Sequence, residues 1–193
     1  MGRPQAFNFD HVVRVSTDLF SNQGYHSTSI EKLLEVTNIS RSSFYHTFVN
    51  KEGLYMKSLE LKASEGEHVY KQISQHSTVK ERLRLFLRFQ KYEESYQSGI
   101  GCLLVNTVVE LSNSEPGLVK QALSYLERTE MLLTLNIKAG QEKGEIKSKV
   151  APEILARFFM GVKKGLLVSV RHGCEIDDLD DVIDTALLLL NEY

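Results

Sequence analysis

Residues 28–54 read TSIEKLLEVTNISRSSFYHTFVNKEGL, and the spacing inside that stretch decides the fold class. Thr28 has Glu31 three positions on, a capping-box pattern. Ile30, Leu33 and Leu34 then recur at helical spacing and fade at Val36-Thr37-Asn38. Ser40 is a second N-cap candidate, opening a short segment Arg41–Phe48 with Phe44, Tyr45 and Phe48 at i, i+1 and i+4. Two short capped helices separated by about four residues, Thr37 to Ser40, follow the helix-turn-helix plan, whose second helix enters a major groove. Bulky apolar side chains on the inner face (Ile30, Leu34, Ile39, Phe44, Phe48) suit fixing the angle between helices. Small polar and basic ones on the outer face (Arg41, Ser42, Ser43, His46) suit base edges and phosphates. Free backbone N–H groups at the helix starts, Thr28 and Ser40, suit phosphate as well. By spacing alone, two surface helices of an ordinary bundle fit equally.

Outward from this stretch the chain reads as helix after helix. Phe9, Val12, Val13, Ser16, Leu19 and Phe20 precede a stop at Gly24. After a further cap candidate, Asn50, a longer helix runs from Lys51 to about Gln75. Thr78 with Glu81 forms another capping box, followed by Val79, Leu83, Phe86, Leu87 and Phe89. Gly99-Ile100-Gly101 breaks the chain before Cys102–Leu111, an almost wholly apolar segment expected to be buried all round. Long helices are expected over Leu118–Lys143, Glu153–His172 and Asp177–Glu192. No alternating strand pattern competes, so the expected class is all-α, with about nine helices. The expected domain boundary lies at the start of the helix after Lys51, giving units 1–52 and 53–193.

Composition agrees with this and removes other classes. The chain has 193 residues, 42% hydrophobic and 25% charged, with net charge −2 and only three prolines. A chain of this size buries roughly 70% of its unfolded surface, so a core forms without staples. Two cysteines make neither a disulfide framework nor a four-thiolate zinc site. No apolar run approaches the roughly 20 residues of a membrane span, and no signal peptide opens the chain, so a cytoplasmic, non-membrane protein is expected. Residues 1–51 hold five Lys/Arg against four acids, whereas 175–193 hold seven acids and no Lys or Arg. A locally basic head on an acidic remainder is compatible with nucleic acid and restrains unspecific binding. The six histidines show no metal-ligand spacing and no nucleophile–base–acid set recurs, so no enzyme activity, metal or cofactor is expected.

The residues themselves resemble a family. Gly2-Arg3-Pro4, the Leu19-Phe20 pair before Gly24-Tyr25, Thr28-Ser29-Ile30, Asn38-Ile39-Ser40 and the run Ser43 to Leu54 are similar to the DNA-binding region of TetR/AcrR-family transcriptional regulators. The likeness is close over about residues 9–55. It implies a homodimer with an N-terminal three-helix helix-turn-helix DNA-binding domain and a larger helical ligand-binding and dimerisation domain. It implies a repressor on double-stranded palindromic operator DNA, released by a small-molecule inducer. Carried over by position, Ser40–Phe48 is the recognition helix. Arg41, Ser42 and Ser43 then face bases, Tyr45 and His46 contact phosphates or a base, and Thr28 and Lys51 grip the DNA backbone. Arg41 is the side chain here able to contact guanine in bidentate fashion.

Three further groups stand out. Phe86, Phe89, Cys102, Asn106, Glu110, Tyr125, Phe158 and Phe159 are candidates to line a ligand pocket, with plain core packing as the competing reading. Cys102 follows the glycine break at a helix start, where a thiolate is favoured; an inert buried thiol and an electrophile sensor both remain open. Leu155, Phe159, Val162, Leu166, Val182, Ala186, Leu187 and Leu190 form stripes on the last two helices, expected to build a four-helix dimer interface. Asp177-Asp178-Leu179-Asp180-Asp181 has the spacing of a magnesium–diphosphate motif, but these acids fall in the first turn of a helix, where they favour the macrodipole.

Overall fold

The computed structural model describes residues 7–76, 78–88, 102–171 and 173–191. Among them every regular element is helical: α1 (Phe9–Gln23), α2 (Ile30–Thr37), α3 (Arg41–Phe48), α4 (Lys51–Ile73), α5 (Val79–Arg88), α6 (Leu103–Leu111), α7 (Pro116–Glu142), α8 (Pro152–Arg171) and α9 (Ile176–Leu187), with a 3₁₀ turn Leu188–Leu190. Phe89 and Arg3 lie outside the described residues.

Local chemistry explains most boundaries. Asn8 caps α1 by accepting the His11 N–H, and Gly24, at φ 82°, ends it by donating to the Phe20 carbonyl. The cap of α2 is Ser29, whose Oγ accepts the Lys32 N–H at 3.1 Å. The expected capping residue, Thr28, instead donates its hydroxyl to the Gly24 carbonyl at 2.7 Å. Asn38 ends α2 in the left-handed region (φ 53°), where Asn is tolerated. Ser40 caps α3 and Asn50 caps the first turn of α4. Thr78 and Glu81 form the reciprocal capping box at α5.

The chain divides into two compact units. The first comprises 1–65 and 102–123, the second 66–101 and 124–193. The first part of α4, all of α6 and the start of α7 belong to the same unit as the three N-terminal helices. In the first unit α1 packs on α2 and α6. Its core gathers Phe20, Leu33, Phe44, Leu54, Tyr55 and Leu59, and the Phe20 and Tyr55 rings meet edge to face at 4.7 Å. In the second unit α9 packs across α5 and α8 around Leu83, Leu87, Leu155, Phe159, Ile183 and Leu187. Ion pairs Arg84–Asp184 and Arg88–Asp180 flank the α5–α9 contact.

α6 departs from expectation. Leu103, Leu104, Thr107 and Leu111 are buried, but Val109 is 79% exposed, so the helix is amphipathic rather than enclosed. Its apolar outer positions hid the 3.6-residue period.

Candidate nucleic-acid interface

α2, a three-residue turn and α3 form a helix-turn-helix held by its inner face. Leu33, Ile39, Phe44 and Phe48 are buried. The Phe48 ring stacks on Phe9 at 5.5 Å and meets Phe44 at 5.7 Å, which fixes α3 against α1. At the start of α3 the Ser40 Oγ accepts the Ser43 N–H at 3.1 Å and donates to the Ser43 Oγ at 2.9 Å. Val49 ends the helix at φ 67°, a conformation that β-branched residues rarely take.

The opposite face of α3 is bare. Arg41, Ser42, Tyr45 and His46 are exposed, Tyr45 by 42%, whereas Ser43 is half-buried. Exposure recurs at 41, 42, 45 and 46, the i, i+1, i+4, i+5 row of one helix face. Arg41 Nη2 pairs with Glu31 Oε1 at 2.8 Å, both side chains more than half exposed. That hydrogen bond holds the Glu31 carboxyl below the ordinary carboxylate range. Short polar groups, a phenol, an imidazole and one guanidinium on a rigid helix suit a groove floor and its phosphate walls.

Two expected DNA-backbone residues are placed differently. Thr28 is fully buried and its hydroxyl donates to the Gly24 carbonyl at 2.7 Å. Lys51 turns inward: Nζ donates to the carbonyls of Tyr25 (2.9 Å) and Thr28 (3.1 Å) and lies 4.1 Å from the centre of the Tyr25 ring. Desolvation pulls its ammonium below the ordinary lysine range, opposed by Glu115 and Glu110. Lys51 thus ties α4 to the α1–α2 loop. Two residues that sequence reasoning missed belong to this region: Glu31, which balances Arg41, and Tyr25, the platform beneath Lys51. A basic–acidic pair ten residues apart across a turn is a signal for the first; nothing local marks the second.

The expected pocket residues belong to both units, Cys102, Asn106 and Glu110 to the first and Phe86, Tyr125, Phe158 and Phe159 to the second. Cys102 is the N-cap residue of α6, half-buried and without a side-chain cap bond, and Asn106 is half-buried. The Glu110 carboxylate accepts the backbone N–H groups of Tyr25 (3.0 Å) and His26 (2.8 Å). In the second unit Tyr125 is half-buried, Phe159 is core, and Phe158 faces outward, 40% exposed. Phe86 borders a cavity of about 10 Å³ with Tyr70, Arg82, Leu133 and Asn136, room for about one water. Tyr70 donates to the Leu132 carbonyl, Asn136 to the Tyr70 hydroxyl, and Arg82 to Asn136, which closes this polar cluster on itself.

The expected dimer stripe is largely interior. Leu155, Phe159, Leu166, Ala186, Leu187 and Leu190 are buried within their own unit. Packing α8 against α5 and α9 uses that side of the stripe. Val162 and Val182, with Ala186, border an open, mostly apolar groove of about 550 Å³ that Phe158, Asp181, Thr185, Leu188 and Leu189 complete. Among the described residues no group of His, Cys, Asp or Glu gathers as a metal site, and no helix is long and apolar enough to cross a membrane.

Comparison with known proteins bears on both units. The family profile described as "Bacterial regulatory proteins, tetR family" matches residues 12–56, and "Tetracyclin repressor-like, C-terminal domain" matches residues 79–185. The chain is 26% identical over 194 residues to the transcriptional repressor ComR of Escherichia coli K12, covering 99% of this chain and 92% of that protein. It is 25% identical over 173 residues to the repressor DhaR of a Mycobacterium species, covering 90% and 87%. A cysteine-substituted CifR, a TetR-family regulator complexed with 26-bp operator DNA, has the same fold at TM-score 0.86 and 24% identity, covering 97% and 98% of the two chains.

Proposed function

Since the chain belongs to the TetR family of bacterial DNA-binding transcriptional regulators, we propose that it is a homodimeric repressor that reads palindromic operator DNA with α3 and lets go when a small-molecule inducer binds. Family membership makes it a transcription factor and not an enzyme. The observation that carries the reading is the bare row Arg41, Ser42, Tyr45 and His46 on a helix whose other face is locked by Phe44 and Phe48. Arg41, early in α3, reaches base edges; Ser40, Ser42, Ser43, Tyr45 and His46 complete the contact surface. ComR and DhaR are both repressors, which supports repression here.

A second copy of this chain fits the apolar groove at Phe158, Val162, Val182 and Leu188. Two reading helices then meet major grooves one helical turn, about 10 bp, or a multiple apart. The 26-bp operator held by CifR is long enough for two such half-sites. We infer that the inducer enters the second unit at the cavity bordered by Phe86 and Tyr70. At Phe86 the cavity holds about one water, so an organic inducer has to open it, and that opening supplies the conformational change. Binding to duplexes selected from a random pool tests the reading. A palindromic consensus and an affinity falling steeply with salt are expected; no selected duplex, or a salt-insensitive affinity, overturns it.

A further inference from the structure

The α1–α2 loop is held from two sides by opposite charges. On one side, Glu110 of α6 accepts two consecutive backbone N–H groups, Tyr25 at 3.0 Å through Oε2 and His26 at 2.8 Å through Oε1. On the other, Lys51 of α4 donates to the carbonyls of Tyr25 and Thr28. His26 Nε2 adds a contact with the Ser114 Oγ at 3.1 Å, just beyond α6. The loop is also shaped to receive the carboxylate: a Cβ on Gly24 would stand 2.7 Å from Oε2 and 3.1 Å from Oε1 of Glu110. Glycine is therefore required there twice over, by its φ of 82° and by the approach of Glu110.

We infer that Glu110 is a positioning residue for operator binding: it latches the α1–α2 loop to α6 and thereby sets the angle at which α2 and α3 leave α1. It touches no DNA-facing side chain and acts through the loop backbone. The inference rests on the reading of α3 as the DNA-contacting helix. Its sign is distinctive. Coulomb's law alone says that deleting a carboxylate from a DNA-binding unit strengthens its hold on a polyanion. The latch says that the same deletion weakens it, because a loosened loop lets α3 sample angles that miss the groove.

Glu110→Ala and Glu110→Gln separate these outcomes, with a duplex selected by the wild-type protein as the probe. Amide hydrogen exchange at Tyr25 and His26 is expected to accelerate about tenfold or more in Glu110→Ala, and operator affinity to fall by about tenfold, the scale of one lost charge-assisted bond. Glu110→Gln keeps one acceptor oxygen and is expected to fall between, which a general loss of folding would not reproduce. The salt slope is expected to stay at its wild-type value in both, since no phosphate contact is removed. Unchanged exchange at the two amides, or an affinity equal to or above wild type in either folded variant, overturns the inference. If Glu110→Ala does not fold, Glu110→Gln decides by the same two measurements. A wild-type protein that selects no duplex overturns the operator reading itself, an outcome distinct from failure of the variants alone.

Discussion

Lys51 Nζ stands 4.1 Å from the centre of the Tyr25 ring and donates to the carbonyl of the same residue at 2.9 Å. The resemblance to DNA-binding heads implied a phosphate grip for this lysine, whereas its ammonium donates to two carbonyls and lies over a ring within the protein. Lys51→Ala is therefore expected to destabilise the first unit by roughly 1–3 kcal/mol, the scale of a charged donor lost from two carbonyls and a ring. Operator affinity falls with it, but the slope of log affinity against log salt stays at the wild-type value. Denaturant melts and salt-titrated binding check both; a slope smaller by about one would assign Lys51 to a phosphate instead.

Arg41 and Glu31 are paired at 2.8 Å on the exposed face. A guanine contact by Arg41 has to break or share that pair. Glu31→Gln removes the competitor and an acid near the DNA, so operator affinity is expected to rise, most at low ionic strength, with the gain shrinking as salt is added. Arg41→Ala is expected to weaken operator binding and to relax preference at one base position per half-site, while Tyr45→Phe weakens all sequences alike. Selection of duplexes by each variant distinguishes base reading from phosphate contact; identical preferences in Arg41→Ala and wild type would remove Arg41 from the reading set.

The elements were legible where the determinant is local. Ser40, Asn50 and the Thr78–Glu81 box all cap as their spacing predicts, because each cap binds an N–H within three residues. The register failed at Thr28 and Ser29, adjacent residues able to cap equally well, and the hydrogen bond of the Thr28 hydroxyl to the Gly24 carbonyl decided between them. Lys51 and Glu110 were illegible in principle. Their partners are backbone atoms 23–26 and 84–85 residues away, and backbone atoms carry no side-chain signature. The apolar stripes were legible as apolar but not as to what covers them. Phe158 and Phe159 are neighbours of one residue type, and a turn of 100° sends one outward and the other into the core.

The outward and inward faces of the stripe respond differently to an added charge. Phe159→Asp places a charge in the protomer's own core and is expected to unfold it. Val182 is 48% exposed and borders the open groove, so Val182→Asp is expected to leave the fold intact and separate the protomers. An unpaired carboxylate in such an interface costs several kcal/mol. Light scattering should move from dimer to monomer mass while the far-UV spectrum is retained; a dimer that survives Val182→Asp would place the interface elsewhere.

Ser16 lies on α1, fully buried, and its Oγ has no hydrogen-bond partner among the described residues. Its neighbour Thr17 donates to the carbonyl four residues back at 2.7 Å. Ser16→Ala removes an unsatisfied hydroxyl and raises helix propensity, so the protein is expected to gain about 1 kcal/mol. Denaturant melts should shift to higher midpoint with the slope unchanged. A loss of stability would mean that the hydroxyl has a partner, such as a buried water.

Tyr55 is fully buried, and desolvation pushes its phenol up to about 12. Thr107 gives its single hydroxyl proton to the Leu103 carbonyl at 2.7 Å, so in the 2.8 Å contact between Tyr55 and Thr107 the phenol is the donor. An unfolded tyrosine ionises near pH 10, so the folded chain holds this proton more tightly than the unfolded one. The resulting stabilisation is complete below about pH 10 and is lost as pH rises through about 12, roughly 2–3 kcal/mol in all. Tyr25, also pushed up to about 12 by burial with Glu115 and Glu52 adding to it, contributes in the same direction. Tyr55→Phe is expected to be less stable at neutral pH by about 1 kcal/mol, the lost hydrogen bond, but to decline less steeply above about pH 10. Urea melts from pH 8 upward, about half a unit apart, read the two slopes; parallel curves would show that Tyr55 ionises in the folded chain as freely as in the unfolded one.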